Sequence, residues 1–377
     1  MKEKWWLTFT NGGQSKLLQW EITLKKKIIA LASIATLSAI TAHAQSSVTA
    51  YGLIDASLQN ISNVGSASAH ASVTRMSASA IYSSVWGLKG SEDLGNGMRG
   101  VFRMEGDVNP TNGTNNPTGI FRRAANAGLS GSFGSVTAGV ELSPFILASI
   151  ISAPGWSNSD LVNASISGGY AHFFTANAIT YTLPTMGMVS GQIQYALGGQ
   201  AGSSRGNYTN GYVAVAPIEG LNLIAAFEQL NPGGQFNTQA LATGNNSLFG
   251  ATYAFGPLAV GVQAVKAMTG SNGSTGIYTK TDQVSAKYQI NGPLSIRVNY
   301  VTNDGQGASK KNTMTNEIAM YDFSKTTAVY GIASQVNNGT ARTFEPIFQG
   351  DGVGPGYPYG VASATANSFG VGIIKRF

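Results

Sequence analysis

Charged side chains alternate with apolar ones along the stretch "GMRGVFRMEGDV", residues 97–108. Successive side chains of a β-strand point to opposite faces, so a strand here would place Arg99, Arg103, Glu105 and Asp107 together. Bases and acids that share a face and meet water attract or repel small ions according to the sign of their charge. The chemistry predicted from these residues is electrostatic selection, in which no bond is made or broken.

Catalytic chemistry finds little support in the sequence. The chain has no cysteine, which excludes thiol catalysis and cysteine-ligated metals. Beyond residue 45 the only histidines are His70 and His172, far apart in the chain, and a serine hydrolase needs a Ser–His pair held by a third group. Asp282, Asp304 and Asp351 lie in or beside predicted loops, with no spacing that resembles a calcium loop. We predict no enzyme activity, no cofactor and no metal site.

Sixteen segments of alternating character would position the charged residues. They span about 48–59, 80–91, 97–108, 120–130, 134–142, 173–183, 188–198, 207–216, 220–230, 246–255, 258–268, 279–290, 294–303, 314–323, 326–336 and 364–377. Tight turns rich in Gly, Pro and Asn alternate with longer polar loops between them. This asymmetry is typical of an outer-membrane barrel, and an even strand number lets the last strand pair with the first. We predict an all-β fold, a 16-stranded antiparallel transmembrane β-barrel.

Alternation alone also fits a soluble sandwich, but the composition favours the barrel. Charged residues make up 11% of the chain, whereas soluble domains carry about 25%. No segment beyond residue 45 approaches the ~20 consecutive apolar residues that a spanning helix needs. The net charge is +6, but residues 1–45 hold six lysines and two acidic residues, which leaves +2 for the rest. We therefore expect no nucleic-acid partner.

The stretch "KKKIIALASIATLSAITAHAQ" has the order of a secretory signal, with a basic start, an apolar run and an A-x-A site. It predicts cleavage between Ala44 and Gln45, so that residues 1–44 are a signal peptide and residues 45–377 form the barrel. The apolar run is too short for a membrane anchor. Three tryptophans precede it and fit no signal pattern, and we interpret residues 1–23 as a gene-model extension.

The chain ends in "SFGVGIIKRF", which reads as a terminal strand. Phe369, Val371, Ile373 and Phe377 share one face with Lys375, and that face is otherwise apolar. In a barrel this face would point to lipid, with its aromatic residues at the two membrane interfaces.

Several motifs resemble trimeric general porins of Gram-negative bacteria, of the beta-proteobacterial (neisserial and burkholderial) type. They are "SSVTAYGLIDASL", "WGLKGSEDLGNGMRGVFRMEGDVN", "RAANAGLSGSFGSVTAGVE" and the terminal "FGVGIIKRF". The resemblance implies a homotrimeric channel for passive diffusion of small hydrophilic solutes and ions, with a third loop folded into the lumen. It also implies a place in the outer membrane among lipid and lipopolysaccharide, and a last strand that the barrel-insertion machinery reads.

In this family, wall arginines face acidic groups of the inward loop at the constriction. The resemblance places that loop at about residues 142–172, with Asp160 inside it and Glu141 just before it. Arg123 matches an arginine that the family carries early in its fourth strand. The other pore-lining candidates are Lys89, Arg99, Arg103, Glu105 and Asp107, of which the two acids could instead pair with neighbouring bases.

Three departures from the family pattern concern basic positions. Val85 stands where the family has an arginine before "WGL", Val140 stands in place of another, and "FFTANAITY" lacks a third. These changes predict a less positive constriction and a weaker preference for anions. Three alternatives stay open: bases elsewhere compensate, the channel is selective for one substrate, or a largely closed barrel serves as a surface scaffold or adhesin through its late loop, residues 337–363.

Overall fold

The computed structural model describes residues 46–66, 69–115, 119–158, 173–184, 186–231, 244–269, 277–305, 309–340, 361 and 363–377. Nearly all of them belong to antiparallel strands. In chain order these are β1 (Ser47–Ser66), β2 (Ala69–Ala78), β3 (Val85–Gly95), β4 (Met98–Asp107), β5 (Ala124–Gly131), β6 (Gly134–Leu142), β7 (Phe174–Thr182), β8 (Val189–Ala196), β9 (Tyr208–Val215), β10 (Leu221–Leu230), β11 (Gly244–Phe255), β12 (Leu258–Thr269), β13 (Ile277–Gln289), β14 (Leu294–Gly305), β15 (Asn312–Ser324), β16 (Thr327–Asn337) and β17 (Thr365–Arg376). One helix, α1 (Pro144–Ile151), lies between β6 and β7.

The first strand closes the sheet into a barrel. One edge of β1 pairs with β17. The other edge pairs with β3 through its first half and with β2 through its second half. Because β2 and β3 lie end to end along the same edge, they form one interrupted barrel strand. The closed barrel therefore has sixteen strands, and the predicted fold is confirmed.

At the start of the barrel, the structure differs from the strand boundaries predicted from the sequence. Residues 60–79, expected as a loop, lie mostly in the long strand β1 and in β2. Residues 79–84, most of them expected in a strand, instead leave the wall between β2 and β3. Positive φ at Ser79 (65°) marks the point where the chain turns away.

A single carboxylate holds this break open. Asp55 of β1 accepts hydrogen bonds from the backbone N–H groups of Ile81 (2.7 Å) and Tyr82 (2.9 Å). Its other oxygen accepts a bond from the Tyr330 hydroxyl at 2.5 Å. The Ser84 hydroxyl bonds to the backbone N–H and carbonyl of Asp55. Side chains therefore replace the missing main-chain ladder, which an alternating pattern could not reveal.

The two faces of the wall are apolar outside and polar inside. On β17, Phe369 and Val371 are exposed by 65% and 64%, whereas Ser368 is fully buried. Ile373 and Phe377 share the outer side, as the terminal pattern predicts. The opposite face of the wall is rich in buried amides, including Gln194, Asn210, Gln263, Gln283, Asn299 and Asn316. This arrangement is that of a barrel with lipid outside and a polar interior.

The helix α1 was not predicted, and it lies inside the barrel. Proline stands at its start, where a missing N–H costs nothing. Phe145, Ile146 and Ala148 are fully buried, and they belong to one apolar cluster with inner-wall residues such as Ala214 and Leu248. The stretch "PFILASII" is apolar because it packs against the wall from within. In the described ranges, no helix is long and apolar enough to cross a membrane.

Candidate functional site

Residues 143–158, which include α1, run along the inner wall of the barrel; we call them the inward segment. Amide side chains on the inner faces of β12, β14 and β15 hold it. Gln263 donates to the Ser149 carbonyl (3.3 Å), Asn299 to the Gly155 carbonyl (2.6 Å) and Asn316 to the Ser157 hydroxyl (2.9 Å). A Cβ at Gly155 would meet the Val298 carbonyl at 2.8 Å, so the segment lies directly on the wall.

The start of the inward segment is anchored in a buried polar network. The Ser143 hydroxyl bonds to the Tyr208 hydroxyl (3.2 Å) and to the Asn210 amide oxygen (3.1 Å). The carboxylate of Glu228 accepts from Tyr208 and from the Asn246 amide. Each buried polar group therefore has a partner, as a rigid anchor requires.

The far end of the inward segment meets the break between β2 and β3. The N–H of Asn158 donates to the Ile81 carbonyl (3.0 Å), and its side-chain amide donates to the Ser79 carbonyl (2.9 Å). The rings of Trp156 and Tyr82 lie 6.4 Å apart. The inward segment and residues 79–84 together form a bridge across the lumen. The described part of this bridge covers the inner wall from β9 to β15. The inner wall of β3 to β5 stays uncovered and faces the bridge across the lumen.

A cluster of charges lines that facing wall; we call Arg103, Glu105, Asp107, Arg122 and Arg123 the wall cluster. Glu105 pairs with Arg103 at 2.5 Å and with Arg123 at 3.0 Å. Asp107 pairs with Arg123 at 3.1 Å and also with Arg122. The cluster holds three bases and two acids, and most of its charge is compensated internally. Glu105 and Asp107 thus pair with neighbouring bases, which was one of the two alternatives left by the sequence.

Three residues in or beside the wall cluster, two aromatic and one basic, were missed from the sequence. Tyr51 donates its hydroxyl to Glu105 (2.8 Å) and accepts a bond from Arg103 (3.0 Å). Phe174 stacks beneath the guanidinium of Arg123, 4.5 Å from the ring centre. Arg122 was overlooked because the family resemblance pointed only to Arg123, and alternation along the predicted segment 120–130 puts neighbouring residues on opposite faces. In the structure both arginines precede the first residue of β5.

Comparison with known proteins decides the family. Residues 30–341 match the family model described as Gram-negative porin. The chain belongs to this family. It is 29% identical over 344 residues to outer membrane porin protein 32 of Delftia acidovorans, across 85% of this chain and 92% of the relative. It is also 32% identical over 188 residues to the major outer membrane protein P.IB of Neisseria gonorrhoeae, across 49% of this chain and 52% of that protein.

Solved porin structures share the fold. The anion-selective porin from Comamonas acidovorans superposes with a TM-score of 0.73 at 25% identity, covering 88% of this chain and all of the other. OmpT of Vibrio cholerae, at 14% identity and a TM-score of 0.64, shares the fold over 88% of this chain. The predicted resemblance to beta-proteobacterial porins is confirmed. The porin is an outer-membrane protein, and its barrel forms a channel for passive diffusion.

The remaining candidates of the porin occupy separate places on the inner wall. The Lys89 ammonium lies 5.2 Å from the Tyr51 ring centre, within reach of the wall cluster. Arg99 lies nearer the short turn and donates to the Ser91 hydroxyl at 2.7 Å. Glu141 accepts a bond from Thr137 at 2.6 Å and is not part of the cluster in the described contacts.

Three sequence-based assignments fall outside the described residues. These are the loop carboxylate Asp160 and the cleavage pair Ala44 and Gln45. Among the described residues, no group of three His, Asp or Glu side chains could hold a metal ion.

Proposed function

We propose that small hydrophilic solutes and ions diffuse through the space between the bridge and the wall of β3 to β5. The observation that carries this proposal is the position of the inward segment, which lies on the inner wall from β9 to β15. The opposite wall carries Lys89 and Arg103, both exposed, next to the wall cluster. Polar walls keep such a passage hydrated, and no energy source is needed because solutes move down their own gradient.

Each feature of the passage has a separate role. The bridge sets the largest solute that passes. The wall cluster orients water and solutes through paired charges, with Lys89 adding an exposed base. From the family pattern we further propose that Glu141 and Asp160 supply acids at the constriction.

Thiol labelling tests the proposed passage, because the chain contains no cysteine. We expect a Lys89→Cys variant in a planar bilayer to lose part of its conductance when a bulky methanethiosulfonate reagent is added. A Val262→Cys variant, whose side chain points outward from β12, serves as the matched control. Unchanged conductance of a Lys89→Cys channel that mass spectrometry shows to be modified would contradict this path.

A second copy of the chain is the proposed partner of the outer face formed by β15 to β17 and β1. Glu317 points outward from the middle of β15, next to the small residues Ala319, Gly331 and Ala333. A carboxylate on a lipid-facing wall is costly, whereas a protein neighbour can supply partners. Small side chains let two barrels approach closely. The resemblance to trimeric porins makes a homotrimer the expected assembly.

Measuring the size of the solubilised oligomer tests the proposed homotrimer. We expect Ala333→Trp to shift the detergent-solubilised porin from trimer to smaller species in sedimentation experiments. Ala264→Trp, on the outer face of β12, is the matched control and should leave the trimer intact. A trimer that survives Ala333→Trp and Glu317→Lys together would place the interface elsewhere.

A further inference from the structure

Arg297 is a buried arginine on the inner face of β14. Its side chain has one hydrogen bond in the described ranges, a 3.7 Å contact from a guanidinium nitrogen to the Met320 sulfur. The residue is 8% exposed, and its Nε has no hydrogen-bond partner among the described residues. A guanidinium carries five donors, and leaving them without acceptors in a buried place is costly. The Arg297 Nε is thus a buried donor for which the described part of the chain supplies no acceptor.

Two further bases lie beside Arg297. Lys287 stands directly across from it on β13, in the same row of inner-face residues. The guanidinium groups of Arg297 and Arg376 lie 5.6 Å and 5.5 Å from the ring centre of Tyr82. Each base lies within three residues of the short-turn end of its strand, on the side of the lumen away from the long loops.

The nearby acids interact with this group only across a distance. Asp55 and Arg376 attract each other, but the Asp55 oxygens accept hydrogen bonds from the N–H groups of residues 81 and 82 and from Tyr330. Asp322 interacts with Lys287 across a distance. Within the described part of the chain, no carboxylate comes within 4.0 Å of the charged nitrogens of Lys287, Arg297 or Arg376. This is the opposite of the wall cluster, where each arginine meets an acid.

We propose that Lys287, Arg297 and Arg376 form a binding site for small oxyanions, carboxylates or phosphates, at the short-turn end of the lumen. The planar donors of two arginines match the oxygens of such groups, and Lys287 adds a point charge. Solutes that carry these groups bind there in transit. The site also supplies the positive charge that the constriction lacks at Val85 and Val140. This inference rests on the proposed function, because the anion must reach the site through the open passage.

Inorganic phosphate is the probe for the test. Single channels of the whole porin are recorded in potassium chloride while phosphate is added to both compartments. In the native porin we expect a saturable fall of the chloride current. In Arg297→Gln the half-inhibiting concentration rises roughly tenfold, the effect of losing one charge-assisted contact. Arg205→Gln, in the exposed loop before β9, removes the same charge and should behave as the native porin does.

Variants at two less buried positions of the site keep the test informative if an Arg297 variant fails to fold. Lys287→Gln and Arg376→Gln should each weaken inhibition by phosphate. Arg297→Lys keeps the charge but loses the planar donors, so its half-inhibiting concentration should lie between those of the native porin and of Arg297→Gln. Native inhibition in conducting Lys287→Gln and Arg376→Gln channels would overturn the site and leave the proposed channel standing. A native porin that is folded and passes no current would overturn the proposed function and the site together.

Discussion

Glu105 organises the charges of the wall cluster. It is buried, and its two oxygens meet Arg103, Arg123 and the Tyr51 hydroxyl. Without it, Arg103 loses its acid partner and Arg123 keeps only Asp107, so the cluster gains net positive charge where it faces the passage. The selectivity of the wall is thus set by one acid as much as by the bases around it.

Replacing Glu105 should therefore increase anion preference. We expect Glu105→Gln to raise the ratio of chloride to potassium permeability roughly threefold, the effect of one unit charge partly screened by water and salt. The reversal potential under a potassium chloride gradient measures this ratio. Glu219→Gln, in an exposed turn, is the control. An unchanged or lower ratio in Glu105→Gln would show that ions do not pass near the cluster.

Asp55 has a structural role that was not predicted from the sequence. Substitution by alanine leaves two backbone N–H groups without acceptors, one of them on the fully buried Ile81. We expect Asp55→Ala to lower the free energy of unfolding by about 2–4 kcal/mol. Urea titration of the porin in lipid vesicles, followed by tryptophan fluorescence, measures the loss. Asp93→Ala, at an exposed turn, should cost far less, and equal losses in both variants would contradict the role of Asp55.

Alternation of residue types grouped the charged residues of β4 on one face, but it could not give their partners. Arg99, Arg103, Glu105 and Asp107 lie on one face of β4, as the period of two predicts. The contacts of Glu105 with Tyr51 and Arg123 depend on which strands lie beside β4 and in which register. Arg297, which has no acid partner among the described residues, was not singled out either, because a buried arginine without an acid has no local signature.

At the scale of elements, the terminal strand closes the barrel. The backbone N–H and carbonyl of Phe377 both bond to Gly52 of β1, at 3.1 Å and 3.0 Å. The Phe377 ring lies over Gly52, where a Cβ would meet it at 2.3 Å. The last residue therefore completes the seam between the first and last strands, and its ring belongs to the outer face.

The seam predicts how the porin responds to a change at its end. We expect Phe377→Ala to reduce the yield of folded barrel several-fold, because an apolar anchor at the closing edge is lost and because the insertion machinery is proposed to read this strand. Heat-modifiable migration in gels of outer-membrane fractions measures folded yield. Phe323→Ala, an equally exposed aromatic of β15, is the control. If both variants fold alike, the terminal aromatic has no special role in assembly.

The alternation of apolar and polar residues could not predict the elements that leave the barrel wall. The strands follow a period of two because water lies on one side and lipid on the other. The helix α1 and residues 79–84 have wall on one side and the lumen on the other, so their apolar residues follow no such period. The inward loop was expected from the family resemblance, but its helix and its contact with the strand break depend on the closed barrel.

At the scale of the whole molecule, one closed sheet creates both the membrane protein and the channel. Pairing of β1 with β17 joins the two ends of the sheet, so that the barrel wall closes on itself as a bilayer requires. The same closure brings residues 79–84 near the end of the inward segment, which makes the bridge possible. The described charges then divide into a cluster of ion pairs on the facing wall and a group of bases without direct ion-pair partners at the short-turn end.

The central claim is that this barrel is an open channel, and single-channel conductance of the purified, folded porin in a planar bilayer tests it most directly. The account predicts stepwise insertions, in groups of three for a trimer, with a current that grows in proportion to salt concentration. Folded porin that inserts and passes no current would contradict the account, because the bridge would then close the lumen.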